Sequence, residues 1–432
     1  MKVLLVGSGG REDALAWALK RSPRLEHLHC APGNAGMRRH GACLDVGPND
    51  LPRLEDHASR GAYDLVVVGP EAPLVAGLAD RLRQSGIPVF GPSAAAARIE
   101  GSKIFAKEFM ARHGIPTAGF RVFDRAADAE TYLRSGALSY PLVVKVDGLA
   151  AGKGVVLADD ADTAVRAASG MLEGRTFGEA GSRILVEELL RGREASFFVL
   201  SDGNRFVELA SCQDYKRALD GDRGDNTGGM GTYSPSVYLD ESTRNGIVES
   251  IVRPTIAGLE QEGCPYCGVL YVGLMLTECG PRVLEFNARF GDPETQVLIP
   301  RLDGDWLELL HACATGKLEE RPLAWKNETA VCVVMASDGY PGRYETGRPI
   351  TGIEDAESLE GVVVYHAGTA VEGDTVVTAG GRVLGVTALD ADLVRARERA
   401  YEAVSRISWD GEQHRTDIAL DALQRSAREV GS

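Results

Sequence analysis

Lys145 ends an apolar run, Leu142-Val-Val-Lys145-Val, that opens into Asp147-Gly148-Leu-Ala-Ala-Gly152-Lys153-Gly154. Glycines let backbone N–H groups come close to phosphate oxygens, and the two lysines supply countercharge, so the pattern suits a nucleotide polyphosphate. It is not a Walker A loop: the spacing to Lys153 is one residue short, and no Ser or Thr follows. A plain surface loop with an exposed lysine is the alternative. A second segment, Val283-Leu-Glu285-Phe-Asn287-Ala-Arg289-Phe-Gly-Asp292, sharpens the first. In an extended strand Glu285 and Asn287 project from the same face. A carboxylate and an amide oxygen there make half of a hard oxygen site, the kind Mg²⁺ shares with ATP phosphates. Between the two lies Leu185-Val-Glu187-Glu188-Leu189-Leu-Arg-Gly-Arg-Glu194, an apolar strand running into acidic residues. Such an edge offers backbone groups to an adenine and carboxylates to ribose hydroxyls.

The chain has 432 residues, 47 Lys and Arg against 62 Asp and Glu, and a formal net charge of −15. That length admits two to four domains at roughly 100–200 residues each. The acidic balance argues against a general nucleic-acid or membrane-surface binder, while leaving room for a local basic pocket. Met1-Lys-Val-Leu-Leu-Val-Gly7 starts a strand directly, with no leader pattern and no apolar run approaching the span of a bilayer, so a cytoplasmic protein is expected. Cys264-Pro-Tyr-Cys267 is a CxxC, but no second pair or histidine cluster stands at zinc spacing, and ordinary thiols are expected.

The elements that must carry these residues follow from pattern. Lys2–Val6, Leu25–Ala31, Leu65–Val68 and Pro88–Phe90 read as parallel strands, each followed by a Gly/Pro loop, and in an open α/β sheet such loops gather at the carboxyl ends of the strands. The first loop, Gly7-Ser-Gly9-Gly10-Arg11-Glu12, mimics a dinucleotide fingerprint, but Glu12 stands where the third glycine belongs and no acidic residue ends the second strand. Nicotinamide binding is therefore disfavoured, and a small phosphorylated ligand at the helix start is kept. A helix begins near Lys103. The fold expected is α/β and α+β multidomain: an N-terminal open parallel α/β sheet over 1–101, a central unit over 102–324 with a small α+β subdomain at about 120–190, and a mostly-β covering domain over 325–432. In the last, Val331–Ala336, Gly361–His366 and Gly381–Leu389 are strands, and Asp392–Ile407 is the finishing amphipathic helix.

The order of lysine strand with glycine loop, acidic strand end and Glu-x-Asn resembles the ATP-grasp fold, in which two α+β subdomains close on one ATP. A closer resemblance rests on Gly7–Glu12, Ala31-Pro-Gly-Asn34-Ala-Gly36, Val68-Gly-Pro70-Glu71-Ala-Pro-Leu74, Phe90-Gly-Pro-Ser93, Glu100-Gly-Ser-Lys103, Asp147–Gly154, Gln213-Asp214-Tyr-Lys216-Arg217, Asn226–Gly231, Glu285–Thr295, His366-Ala-Gly-Thr369 and Gly380–Leu384. In order along nearly the whole chain, these strings are similar to the phosphoribosylamine–glycine ligase family. The resemblance implies ATP-dependent joining of glycine to 5-phospho-β-D-ribosylamine through glycyl phosphate, with Mg²⁺ (or Mn²⁺), small-molecule partners only, and a monomer. It implies that Lys103, Lys145, Gly148, Gly152, Lys153, Gly154, Glu187, Glu188, Leu189 and Glu194 bind ATP, and that Glu285 and Asn287 bind the metal. Substrate would fall to Gly9, Gly10, Arg11, Glu12, Asn34, Pro70, Glu71, Asp214, Lys216, Arg289, Gly291, Asp292 and Thr295. Lys145, Asp214 and Arg289 are the expected catalytic contacts, Asp214 for an ammonium group and Arg289 as a bidentate clamp.

Two positions depart from the family's habit: Asp13 and Tyr215 stand where His is common. A metal-ligating acid about a dozen residues before the Glu of Glu-x-Asn is also missing, since that place falls on Gly273. The competing readings are another purine-pathway ATP-grasp ligase activating formate or bicarbonate, a nicotinamide oxidoreductase, and a non-catalytic ATP sensor.

Overall fold

A computed structural model describes residues 1–136, 139–148, 154–174 and 181–430, the last five as backbone only. The N-terminal sheet is parallel, built from β1 (Lys2–Gly7), β2 (His27–Pro32), β3 (Ala42–Cys43), β4 (Leu65–Val68) and β5 (Val89–Phe90) in the order β3-β2-β1-β4-β5. Val3–Val6 and Leu65–Val68 are buried on both faces, as continuous aliphatic runs between helical layers must be. In-register pairing of Val6 with both Ala31 and Val68 aligns the strand ends, so the loops after β1, β2 and β4 share one edge. The four expected strands are present, and β3, only two residues long, is added.

The small middle subdomain is an antiparallel sheet of β6 (Phe120–Phe123), β7 (Leu142–Val146), β8 (Val155–Ala158) and β9 (Ile184–Glu188), in the order β6-β9-β7-β8. Leu142, Val144, Val146, Ile184 and Val186 pack against Ala129, Leu133, Ala164, Ala168 and Met171 of two helices on one face. Strand alternation then turns Lys145 and Glu187 to the other face. The larger subdomain carries β10 (Arg193–Asp202) and β11 (Phe206–Glu208). The next strands, β12 (Gln213–Asp214), the hairpin β13 (Arg217–Leu219) and β14 (Arg223–Asn226), and β15 (Gly231–Ser234), leave it, and β16 (Cys267–Thr277) and β17 (Gly280–Asn287) complete the sheet β11-β10-β16-β17.

β12 and β15 join a sheet of the C-terminal region with β18 (Thr329–Ser337), β19 (Val362–His366), the hairpin β20 (Thr369–Glu372) and β21 (Thr375–Thr378) beside it, and β22 (Arg382–Asp390), in the order β12-β15-β18-β22-β19. The C-terminal sheet therefore reaches back into residues before 324, which the sequence pattern did not indicate. Asp392 caps the expected tail helix, Leu393–Arg406, and its Ala396, Ala400, Ala403 and Val404 face the sheet. That helix does not finish the chain: β23 (Glu412–Gln413) and a further helix, Leu420–Val430, follow it. No helix among the described residues is long and apolar enough to cross a membrane.

Asp13, on the first helix α1 (Gly10–Lys20), is wholly buried where the N-terminal sheet meets β19. Its Oδ2 accepts the His366 N–H at 2.6 Å, and its Oδ1 faces His40 Nε2 at 3.7 Å. Burial pushes the Asp13 carboxyl up to about 7 and the His40 imidazole down to about 4. The folded Asp13 keeps a proton that the unfolded chain releases, so its contribution to stability is full at low pH and is lost as pH rises through about 7. His40 acts oppositely: its contribution is full above the ordinary histidine value of 6.5 and is lost as pH falls through about 4. Over that shared window the two slopes offset each other. Replacing Asp13 by Asn removes one of them. The melting temperature of Asp13→Asn relative to the native chain should climb from about pH 4 to about pH 7 and then level off, as a calorimetric series would show. A constant difference across the series would mean that Asp13 is ionised in the folded protein.

Candidate active site

Lys103 is the first residue of a helix, Lys103–Arg112, capped by the Ser102 side chain. The same cap holds the incoming loop: Ser102 Oγ donates to Asp147 Oδ1 at 2.8 Å, and Arg183 donates to Asp147 Oδ2 at 2.8 Å. Lys103 Nζ then donates to the Gly148 carbonyl at 2.7 Å. Burial lowers the Lys103 amine, against the pull of nearby Glu285. Gly154 is buried at the start of β8, and its carbonyl accepts from Val146 at 2.9 Å. Gly152 and Lys153 lie outside the described residues.

Lys145 pairs with Glu187 Oε1 at 3.1 Å, and Lys107 takes the other oxygen of Glu187 at 3.0 Å. Lys107 and Glu187 are each 3% exposed at the side chain, and Lys107 also donates to Thr117 Oγ1 at 2.7 Å. Glu188 stands at the strand end with Oε1 accepting the Gly119 N–H at 2.9 Å, and Leu189 follows, half-buried. Glu194 on β10 pairs with Lys216 Nζ at 2.9 Å.

Facing this group, Asn287 and Glu285 share one side of β17, with Phe286 buried on the other. Gly273 is directly opposite Glu285 in the β16–β17 register, and a Cβ there would lie 3.2 Å from Glu285 Cγ. The Glu285 carboxylate opens into the cleft although protein surrounds it. Burial works against its charge, yet Lys216, Lys145, Lys103 and Arg289 outweigh it and hold the carboxyl below the ordinary value. Arg289 is itself clamped, with Glu71 at 3.3 Å and Glu100 at 3.3 Å, and it donates to Asn287 Oδ1 at 3.3 Å. Asp214 is buried beside Ser196, and burial pushes it up to about 7 against the opposing field of Lys216.

Glu285 and Asn287 are the only pair of converging oxygen donors expected from the sequence, and among the described residues no group of three or more His, Cys, Asp or Glu could hold a metal ion. Two hard oxygens ringed by cations, with no thiol or imidazole beside them, fit an ion such as Mg²⁺ that keeps waters and shares substrate phosphates.

A second cleft of about 390 Å³ adjoins, lined by Ser8, Gly9, Gly33, Asn34, Asp292, Ala367, Gly368, Thr369, Ala379 and Arg382. Its floor is tightly tied. Asn34 Nδ2 donates to the His366 carbonyl at 2.7 Å, and Arg382 donates to the Asp292 and Gly228 carbonyls, each at 2.6 Å. The donors at the start of α1 are already taken: Gly9 N–H goes to Glu12 Oε2 at 2.6 Å and Arg11 N–H to Asp292 Oδ2 at 3.4 Å. A phosphate at that helix start, the expectation from the sequence, would meet two carboxylates. Arg11 and Glu12 pair with each other at 2.5 Å, buried, so both face inward. Pro70 precedes Glu71 at a helix start, while Gly10, Gly291 and Thr295 pack around Gln296 and Glu294 beneath the cleft. Sequence reasoning named neither Lys107 nor Glu100 nor Arg382 for the site. Arg382 lay inside a quoted string, but nothing local tells that it reaches back to Asp292.

The biotin carboxylase domain of 2-oxoglutarate carboxylase from Hydrogenobacter thermophilus superposes on this chain with a TM-score of 0.74 at 17% identity, over 96% of this chain and 91% of that one. At that identity the likeness concerns the fold alone. The sequence matches the three parts of one family: phosphoribosylglycinamide synthetase N domain over 1–100, ATP-grasp (A) domain over 101–295 and C domain over 330–421. Phosphoribosylamine–glycine ligase of Rhizobium meliloti is 50% identical over 425 residues, 98% of this chain and 99% of that protein. The crystal structure of phosphoribosylamine–glycine ligase from Thermotoga maritima gives a TM-score of 0.86 at 34% identity, over 97% of this chain and 100% of that one. The chain belongs to the phosphoribosylglycinamide synthetase family and is an ATP-dependent ligase of purine biosynthesis.

The buried Lys107–Glu187–Lys145 triad sets a stability test. Lys107→Met leaves Glu187 with one partner in place of two, and breaking a buried pair costs about 3–5 kcal/mol. The urea midpoint should fall accordingly, and Lys107→Arg should restore part of the loss. An unchanged midpoint for Lys107→Met would show that Lys145 alone satisfies Glu187.

Proposed function

We propose that the cleft between β7, β9 and β17 holds ATP and that glycine is activated there as its acyl phosphate. The observation that carries this is the convergence of Lys103, Lys145 and Lys216 around Glu285 and Asn287. A carboxylate is a poor electrophile. Glycine's carboxylate oxygen therefore attacks the γ-phosphorus, the bond from that phosphorus to the bridging oxygen breaks, and ADP leaves. The ribosylamine nitrogen then attacks the acyl carbon, phosphate leaves with the electron pair of the C–O bond, and the nitrogen gives up a proton. No strong general base is required, because the amine is already nucleophilic.

Positioning and charge neutralisation carry the first step. Lys103 and Lys145 meet the phosphates together with Gly148 and Gly154, joined by Gly152 and Lys153. The strand end Glu187–Leu189 presents backbone groups to adenine, and Glu194 accepts from the ribose. Mg²⁺ (or Mn²⁺) held by Glu285 and Asn287 would supply charge neutralisation on the phosphates. Lys216 and Arg289 orient the glycine carboxylate, and Asp214 receives its ammonium group. A cation arriving beside Asp214 would oppose the burial that raises its carboxyl, which supports the assignment. The second cleft takes 5-phosphoribosylamine: Ser8, Asn34, Gly368 and Thr369 line it, and Arg382 supplies the positive charge its phosphate needs. Binding both substrates needs nothing beyond one chain, and we read the enzyme as a monomer.

The decisive measurement is ADP release with ribosylamine generated in situ. Release should need both glycine and ribosylamine, and formate or bicarbonate should not replace glycine; equal turnover with either would overturn the reading. In the same assay Glu285→Gln, which keeps shape and removes one charge, should lose about 10²–10³ in kcat, by analogy with the loss of one transition-state contact. Its circular dichroism should match the native protein's. Native turnover at limiting Mg²⁺ would place the metal elsewhere.

A further inference from the structure

We infer that Asp421, in the first turn of the C-terminal helix Leu420–Val430, is a positioning residue for the Glu194–Lys216 pair of the nucleotide cleft. The inference rests on the ATP site proposed above. The Asp421 carboxylate collects three donors from one strand and two loops. The Tyr215 hydroxyl donates to Oδ1 in a short hydrogen bond, while Tyr238 Oη donates to Oδ2 at 2.9 Å and Arg193 Nη1 to the same oxygen at 2.5 Å. The Arg193 guanidinium also lies 4.0 Å over the Tyr238 ring, which fixes its plane.

Two of these donors are chain neighbours of the cleft residues. Arg193 precedes Glu194 in β10, and Tyr215 stands between Asp214 and Lys216. Successive side chains in extended chain point to opposite sides. Holding Arg193 and Tyr215 on the outer side therefore aims Glu194, Asp214 and Lys216 at the cleft. Glu194 and Lys216 then meet at 2.9 Å, although their side chains remain 44% and 31% exposed. Long, half-exposed side chains of this kind lose rotamer freedom to form a pair, and a fixed backbone beneath them reduces how much must be lost.

The contact is specific to a phenol at 215. Besides donating to Asp421, the Tyr215 oxygen accepts the Ala419 N–H at 2.9 Å. Ala419 has φ +65, a left-handed conformation that a residue with a Cβ adopts only when its surroundings impose it. The hydroxyl thus anchors the turn that launches the helix, and the helix returns a carboxylate to the hydroxyl. The Arg415 guanidinium, 5.1 Å over the Tyr215 ring, closes the outer side. Burial opposes the charge on Asp421, yet hydrogen bonds from Tyr215, Tyr238 and Arg193 hold it below the ordinary carboxylate value. It remains an acceptor through the neutral range.

The test is a double-mutant cycle on the full-length enzyme, reading the KM for ATP, kcat and melting temperature together. Tyr215→Phe keeps the ring and removes the hydroxyl; the expected result is a KM for ATP raised about fivefold with kcat within about twofold, on the scale of one lost hydrogen bond. In a Glu194→Gln background the same change should add nothing, because the pair it positions is already broken. An equal fivefold rise in that background, or a fall in melting temperature with KM unchanged, overturns the inference and marks Asp421 as a purely structural anchor. Asp421→Asn gives the same split should the Phe variant not fold. If Glu194→Gln alone leaves the KM for ATP untouched, the nucleotide role of Glu194 fails first and the inference falls with it. That outcome is distinct from additivity, which spares the site and rejects only Asp421.

Discussion

Cations that must wait for a polyphosphate have to be stabilised before it arrives, and this constraint organises the cleft. A lysine taken out of water without a partner releases its proton, and an arginine in that position is strongly destabilising. Each basic group here has a carboxylate: Glu187 for Lys145 and Lys107, Glu194 for Lys216, Glu71 and Glu100 for Arg289, Asp292 for Arg382. The exception is Lys103, whose amine meets the Gly148 carbonyl and is lowered by burial. It has the most to gain from an incoming phosphate, since the other cations exchange one anion for another. Binding then becomes a redistribution of existing pairs rather than the burial of new charge.

The same pairs stitch the three parts of the chain together. Arg289, just past β17, reaches Glu71 beside the N-terminal sheet, Arg382 of β22 reaches Asp292, and Asn34 of the second N-terminal loop reaches the His366 carbonyl. A cleft assembled at such a junction is only as well placed as the interfaces around it. The exchange of β12 and β15 into the C-terminal sheet serves that need, because Asp214 ends β12 and so enters the cleft from a strand anchored against Thr232 and, through β15, Cys332.

How much of this was legible in the sequence depended on whether the signal was local. Glu285 and Asn287 are two residues apart on a strand, and Lys145 alternates with buried valines, so period-2 patterning placed all three. The four N-terminal strands were plain for the same reason, being continuous apolar runs closed by Gly/Pro loops. β12 and β15 were not, because strands of two and four residues carry no period and β15 joins the sheet through β18, about a hundred residues away. The helix Leu420–Val430 was passed over although it is amphipathic, since the chain was read as finishing in the helix Asp392–Ile407, and the hydroxyl that anchors the turn before it comes from Tyr215, far away in the chain. Lys107 looks like any charged residue in a helix until Glu187, eighty positions later, is found against it. Asp13 and Tyr215 could be named as departures from the family's habit, but their consequences were hidden, since each acts through a residue of the C-terminal region.

Glu12 shows most directly how one side chain selects among chemistries that a fold permits. An open parallel sheet with a glycine loop after its first strand is the usual seat of a dinucleotide, whose pyrophosphate needs the helix-start N–H groups and an empty crevice above the loop. Here the Glu12 carboxylate accepts the Gly9 N–H, and its stem fills the space over both Gly7 and Gly69: a Cβ on Gly7 would come within 2.5 Å of Glu12 Cγ, and one on Gly69 within 2.1 Å of Glu12 Oε1. The glycines are thus required, but by a side chain of the protein rather than by a cofactor. With the crevice filled and a negative charge at its mouth, the edge of the sheet cannot admit a pyrophosphate. What remains open is the shallower cleft toward Arg382, where the positive charge comes from the C-terminal region. The third glycine of a dinucleotide fingerprint and the glutamate in its place therefore separate two ligand classes on one backbone, and the separation follows from the volume and charge of a single residue.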